Sequence, residues 1–314
     1  MSPTPTVTCF GEAMLRHALT SEERLAVTPG GAEYNVACSL AALGIDAKWV
    51  SALPLLDEAE LITSPADVAG VRLSLIRTGE KLGTYLVLAE EGRVEYDRKD
   101  SSFAGIEAGS FDWKAELSGS RWLVLSGITP LLGDGPMANW GAAMTFAELE
   151  GTLIALDLNH RPALSDFDEL WSIVEPRLRQ VHLLVLSTND LERLAGEASE
   201  ESLRTLRSKW NLPFLACTWK EGYDGCQRRW SAIASSTGFA STSSKPTIHD
   251  PKDPLGGGDA WLAGVLAGLV RGEMLEQCCR QGDLVAALVQ ESFGDLGEID
   301  LNKLSALSTI EGEV

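Results

Sequence analysis

From Val7 onward, short continuous apolar runs alternate with helix-like stretches, and this alternation constrains the fold more than any other feature of the chain. Val7–Phe10, Lys48–Ala52, Trp122–Leu125, Leu153–Leu158, His182–Leu186 and Phe214–Thr218 read as strands that are apolar on both faces, the pattern of a parallel sheet covered on both sides. Tyr34–Leu43, Gly135–Glu150, Ala163–Gln180 and Asn189–Ala195 read as helices between them. The stretch from Leu73 to Asp100 differs: Thr84–Leu88 and Arg93–Asp97 flank a turn at Glu90–Gly92, an antiparallel hairpin of the kind that covers a ligand crevice. Ser235–Lys245 is small and polar and predicts a loop or an irregular edge hairpin. With no linker and no internal repeat, residues 1–314 are expected to form one α/β domain with a discontinuous β lid over roughly 12–32 and 73–104.

The formal net charge of −19 argues against a nucleic-acid partner, which needs a basic face. No apolar run reaches the roughly 18 residues that a membrane span requires, and Met1–Thr6 shows no signal-peptide pattern. Six cysteines without CxxC spacing and four scattered histidines predict a reduced, cytoplasmic protein with no structural metal.

The chemistry concentrates in Asp253-Pro-Leu-Gly-Gly-Gly-Asp259, which runs into the small-residue helix Ala260–Val270. Gly256, Gly257 and Gly258 leave backbone N–H groups open at a helix N-terminus, an anion site backed by the macrodipole. Asp259 lies in the first turn. It either takes a proton from an attacking hydroxyl or simply caps the helix. GxxxxGK[ST] and GxGxxG are both absent.

This segment resembles the Asp-Thr-Thr-Gly-Ala-Gly-Asp signature of the ribokinase-like (phosphofructokinase-B) sugar kinases. Gly11-Glu-Ala-Met-Leu-Arg16, Gly30-Gly-Ala-Glu-Tyr-Asn-Val-Ala37 and Ala41-Ala-Leu-Gly44 look like that family's N-terminal signature. Asn189-Asp-Leu-Glu192 resembles its Asn-x-x-Glu motif, and Thr218 to Gly225, through Gly222 and Gly225, its Gly-x-x-Gly turn near the nucleotide. The matches keep family order over roughly residues 7 to 295. The resemblance implies a three-layer α/β/α kinase with a small β lid, using ATP and magnesium. Asp259 would be the catalytic base, with Asn189, Glu192, Thr218, Gly222, Gly225, Gly256 and Gly258 toward the nucleotide and Glu192 toward magnesium through water. It also implies a lid-paired homodimer and a potassium site beside the signature. Pro254 and Leu255 replace the two threonines, and loss of those hydroxyls weakens that cation site.

Within the family the chain looks most like the 2-keto-3-deoxygluconate kinases, on Phe10-Gly-Glu-Ala-Met-Leu-Arg16, Tyr96-Asp-Arg98 and Asp157-Leu-Asn-His-Arg161-Pro. By position, Gly31, Asn35, Tyr85, Tyr96, Arg98 and Arg161 would hold the sugar acid. Two arginines suit a carboxylate, and tyrosines give apolar walls with a hydroxyl handle. The alternatives are a fructokinase, ribokinase or nucleoside kinase of the same family, and a non-catalytic regulatory homologue. The signature changes and the stretch from Leu55 to Gly70, which departs from the family turn, motivate the last.

Overall fold

A strand apolar on both faces is stable only between two covering layers, and the central sheet supplies that arrangement. A computed structural model describes residues 7–19, 25–88 and 93–299. The first strand, β1 (Val7–Phe10), leads into a hairpin of β2 (Met14–Leu19) and β3 (Leu25–Gly30). Then follow α1 (Ala32–Ala42), β4 (Ala47–Leu53), α2 (Glu60–Ala69) and β5 (Arg72–Arg77), and a second pair, β6 (Thr84–Leu88) and β7 (Arg93–Asp97). Next come α3 (Trp113–Leu117), β8 (Trp122–Ser126), α4 (Asp134–Glu150), β9 (Leu153–Asp157), α5 (Phe167–Val174), β10 (Leu183–Ser187), α6 (Thr188–Ala195) and α7 (Glu200–Trp210). The chain then forms β11 (Phe214–Tyr223), β12 (Cys226–Ser235), β13 (Phe239–Ser241), β14 (Thr247–His249), α8 (Gly257–Arg271) and α9 (Leu275–Gln290).

The central sheet runs β13-β12-β11-β10-β9-β8-β1-β4-β5, with β14 beside β12. From β5 to β11 every pair is parallel, and β12 to β14 close one edge antiparallel. Alternate residues feed opposite cores: Leu183 and Val185 pack with α1, α8 and α9, whereas Leu184 and Leu186 pack on the side of α3, α4, α5 and α7. The molecule is therefore an α/β/α sandwich, as the alternation predicts. A separate four-stranded sheet, β3-β2-β6-β7, forms the lid.

Four expectations need adjustment. Residues from Leu73 to Arg77 are not lid: β5 lies parallel to β4 at the edge of the central sheet, because α2 makes a full crossover from β4. The helix expected over Ala163–Gln180 is α5 alone, followed by a 3₁₀ turn from Glu175 to Gln180 that begins around Pro176, whose missing N–H ends the α-helical ladder. Strand β11 continues to Tyr223, so Gly222 is a strand residue and Asp224-Gly225 is a two-residue hairpin turn with φ of 47° and 77°. Part of Ser235–Lys245 is ordered as β13 on the edge of the sheet. The turn at Glu90–Gly92 and the start at Met1–Thr6 lie outside the described residues.

Candidate active site

The crevice lies beyond the carboxyl ends of the parallel strands, where an open α/β sheet binds ligands. After β1 the chain turns at Gly11, whose carbonyl accepts from Trp49 Nε1 (3.1 Å) and Ser51 Oγ (2.7 Å). That turn brings Glu12 beneath the lid. After β9, Asp157 Oδ1 accepts from the Asn159 N–H at 3.0 Å, and Asn159 adopts φ 45°, a left-handed conformation that Asn tolerates. This turn carries Arg161 to the same cavity, which Gly31, Asn35, Tyr85, Tyr96, Arg98, Gly256 and Asp259 also line. The six residues expected to hold the substrate and the candidate base therefore converge on one space. Gly257, Gly258, Asn189, Glu192, Thr218, Gly222 and Gly225 do not line it.

Asp259 sits in the first turn of α8. No side chain caps that helix, and N–H groups in a first turn have no intrahelical acceptor, so the amides of Gly257 and Gly258 are available to an anion. Gly256 is left-handed at φ 71°, and a Cβ there would collide with the Asp295 carbonyl; only glycine fits. Asn35, on the inner face of α1, donates from Nδ2 to Asp259 Oδ2 at 2.7 Å. Tyr34 beside it locks α1 in place, donating to the Ile62 carbonyl (2.8 Å) and packing edge-on against Trp49. Burial pushes the Asp259 carboxyl well above the ordinary carboxylate range, partly opposed by the Asn35 hydrogen bond. Such a carboxylate is a stronger base than a solvated one.

The two arginines are not equivalent. Arg98 gives Nε (2.8 Å) and Nη2 (2.6 Å) to Glu12 Oε2, and Ser101 donates to Glu12 Oε1, so Arg98 is a paired cation. Among the described residues, no carboxylate lies within ion-pair distance of Arg161. Tyr85 is buried and spends its hydroxyl on Asp295 Oδ2 (2.8 Å) while stacking across the hairpin on Tyr96 at 5.7 Å. It is therefore a wall rather than a free hydroxyl. Two acceptors in the cavity wall keep hydrogen-bonding capacity: Asn35 Oδ1 has no hydrogen-bond partner, and Asp295 Oδ1 has only the Arg16 guanidinium, with Nη1 at 3.5 Å. Buried acceptors left unpaired are costly, which marks them as places for ligand hydroxyls. Sequence reading missed Glu12 and Asp295. Glu12 was within reach, as it stands inside the Gly11-Glu motif, whereas nothing local singles out Asp295.

The sequence matches the pfkB family of carbohydrate kinases over residues 4–299. The chain belongs to that family. A 2-dehydro-3-deoxygalactonokinase of Haloferax volcanii is 26% identical over 304 residues, covering 92% of each chain. A 2-dehydro-3-deoxygluconokinase of Bacillus subtilis is 26% identical over 273 residues, 85% of this chain and 82% of that one. The crystal structure of 2-dehydro-3-deoxygluconokinase from Thermotoga maritima superposes with a TM-score of 0.89 at 25% identity, covering 97% of this chain and 99% of the other. A Vibrio cholerae fructokinase solved with fructose, ADP and potassium ion shares the fold at 18% identity and a TM-score of 0.76, with 93% and 94% covered.

A pfkB kinase uses ATP as phosphoryl donor together with a divalent cation. Among the described residues no three His, Cys, Asp or Glu side chains form a metal cluster; a magnesium ion would be held mainly by phosphates and water with one or two carboxylates. Glu192 is exposed on α6. Burial raises Asp157 to about 7 even though Arg161 opposes the shift, and a neighbouring cation would restore its ionised form. The potassium site fares differently. Asp253, the carboxylate that begins the signature, is 1% exposed, and its oxygens are already engaged by Arg16 Nη2 (2.5 Å), Leu255 N (3.1 Å) and Gly294 N (3.1 Å). That donor set does not fit an added monovalent cation.

Proposed function

We propose that this pfkB kinase phosphorylates a hydroxyl of a sugar acid, 2-keto-3-deoxygluconate, giving its 6-phosphate. The observation that carries the reading is Asp259, held by Asn35 at the head of an uncapped glycine helix and facing the same cavity as Arg161. Asp259 takes the proton of the primary hydroxyl. That oxygen forms a bond to the γ-phosphorus as the bond to the β,γ-bridging oxygen breaks, and ADP leaves with the electron pair. The amides of Gly257 and Gly258 stabilise charge on the transferred group without reorganising. Arg161 binds the acceptor's carboxylate; Asn35 Oδ1 and Asp295 Oδ1 accept from its hydroxyls, and Tyr85 and Tyr96 exclude water. Magnesium, held toward Glu192 and Asp157, would supply neutralisation of phosphate charge.

The pairing of Arg98 with Glu12 favours a second reading, a neutral-sugar kinase with the same chemistry, because it leaves one unpaired arginine where two were expected. ADP release with MgATP separates the two readings. The panel is 2-keto-3-deoxygluconate, its galactonate epimer, fructose, ribose and adenosine, with Asp259→Asn as control. Turnover of the keto-deoxy acids alone, lost in the variant, supports the sugar-acid reading. Turnover of the neutral sugars alone refutes it.

A further inference from the structure

Arg16 lies on lid strand β2, yet its guanidinium is 3% exposed and reaches carboxylates outside the lid sheet. It donates from Nη2 to Asp253 Oδ2 at 2.5 Å and brings Nη1 to 3.5 Å from Asp295 Oδ1. Asp253 passes this contact on in both directions: Oδ1 accepts from the Leu255 N–H, one residue before the left-handed Gly256, and Oδ2 accepts from the Gly294 N–H. Asp295 in turn holds Tyr85 of the lid, and its carbonyl is the atom that forbids a side chain at Gly256. One cation thus joins three segments, β2, the turn before α8 and the loop after α9. None of these joints is formed by neighbours in sequence.

Electrostatics make the same demand. Asp253 and Asp295 are both buried, Asp259 faces the same cavity as Asp295, and burial also raises Asp295. Without a countercharge these carboxylates would repel both one another and an incoming polyphosphate. A planar guanidinium with five N–H donors in a fixed fork can bridge two carboxylates with its geometry preorganised, whereas a lysine ammonium is a compact point charge on a flexible stem.

We infer that Arg16 is a built-in cation that positions the anion-binding turn through Asp253, so that phosphoryl transfer by this protein needs no monovalent metal ion there. This rests on the reading of Gly256–Gly258 as the phosphate site, and it makes Arg16 a positioning residue that does not itself line the acceptor cavity. A displaced turn would spoil transfer rather than acceptor binding. Shifts on the 1 Å scale cost about 100-fold in rate.

The test begins with the wild-type protein in potassium chloride and in tetramethylammonium chloride at equal ionic strength. Equal thermal midpoints and equal kcat are expected; a rise of either in potassium overturns the inference. Arg16→Ala should lose about 100-fold in kcat with the acceptor KM little changed, and should recover at least tenfold with millimolar guanidinium. Arg16→Lys should fall between the two. A folded Arg16→Ala with wild-type kcat, or one that guanidinium does not rescue, refutes the role. If Arg16→Ala does not fold, the wild-type salt comparison and Arg16→Lys still decide. The thermal comparison needs no turnover, and the acceptor panel with Asp259→Asn judges the kinase site separately, so the two readings fail independently.

Discussion

Arg161→Ala tests the acceptor assignment most directly, because Arg161 is the cavity arginine with no carboxylate at ion-pair distance among the described residues, whereas Arg98 is held by Glu12. A charge-assisted hydrogen bond is worth about 1.5–3 kcal/mol, so losing it should lower kcat/KM for a keto-deoxy acid by about 10- to 150-fold. The same acid as its uncharged amide should lose less than about threefold, since no charge is there to recognise. One side effect must be separated. Arg161 also lowers the pKa of Asp259 and of Asp157, so its removal moves both carboxyls further up. At neutral pH this would protonate more of the base and depress every substrate alike. The comparison therefore belongs on the alkaline plateau of the pH–rate profile, where Asp259 is ionised in both proteins. Arg161→Lys should recover part of the loss, as a point charge makes one of the two contacts available to a fork. Arg98→Ala is a poorer probe: it strands Glu12, 2% exposed at its side chain, and costs about 3–5 kcal/mol of stability before any substrate is added. Equal losses on the acid and its amide in Arg161→Ala would refute the carboxylate assignment.

Three further outcomes follow from the same geometry. A Cβ at Gly258 meets nothing within 4 Å, so Gly258→Ala should keep its thermal midpoint yet lose activity where a phosphate approaches the backbone, whereas Gly256→Ala, left-handed and against the Asp295 carbonyl, should lose both; differential scanning fluorimetry beside an ADP assay distinguishes them. The Asn35 hydrogen bond lowers the pKa of Asp259, so Asn35→Ala should move the acid limb of kcat to higher pH, and a limb that stays in place would show that Asp259 is not the titrating base. Glu33 is buried and raised to about 7 while accepting from Ser126 N and Thr129 Oγ1, so the folded chain binds its proton more tightly than the unfolded one. Its contribution is complete below about 4.5 and lost as pH rises through 7, a penalty of at most about 3 kcal/mol at pH 8; Glu33→Gln should raise the thermal midpoint at pH 8 and bring no gain at pH 4.5.

Much of the framework was legible because it is written in local pattern. Val7–Phe10 is β1 itself, Thr84–Leu88 and Arg93–Asp97 are β6 and β7, and five other strands fall within a residue or two of their apolar runs except at the far end of β11. Where reading failed, polarity or resemblance misled it. Strand β12 carries Gln227, Arg228 and Arg229 and was not expected, although Asp224-Gly225 is a two-residue hairpin signal that points to it. Reading Gly222 and Gly225 as a nucleotide turn hid that signal. Helix α9 mixes Glu276, Gln277 and Arg280 with Cys278 and Cys279, and its apolar face becomes clear only when it packs on α8.

The site was legible in its chemistry and not in its pairing, and the reason is the range of the contacts. Asn35 meets Asp259 across 224 positions, Tyr85 meets Asp295 across 210, and Arg16 meets Asp253 across 237. No local rule reaches that far. The sequence alone assigns the acidity of the chain to a solvated surface, yet Glu12, Glu33 and Asp295 are buried in the cavity wall and Asp253 is buried beside it against Arg16. Burial on that scale is tolerable only if each acid is answered. Arg98 answers Glu12, Arg16 answers Asp253, backbone and hydroxyl donors answer Glu33, and Tyr85 with Arg16 answers Asp295, while Asn35 holds Asp259. Once those pairings are made, Arg161 is the cavity cation that remains for a ligand. That remainder, rather than the number of arginines in the motifs, makes an acidic acceptor the better reading of this pfkB site.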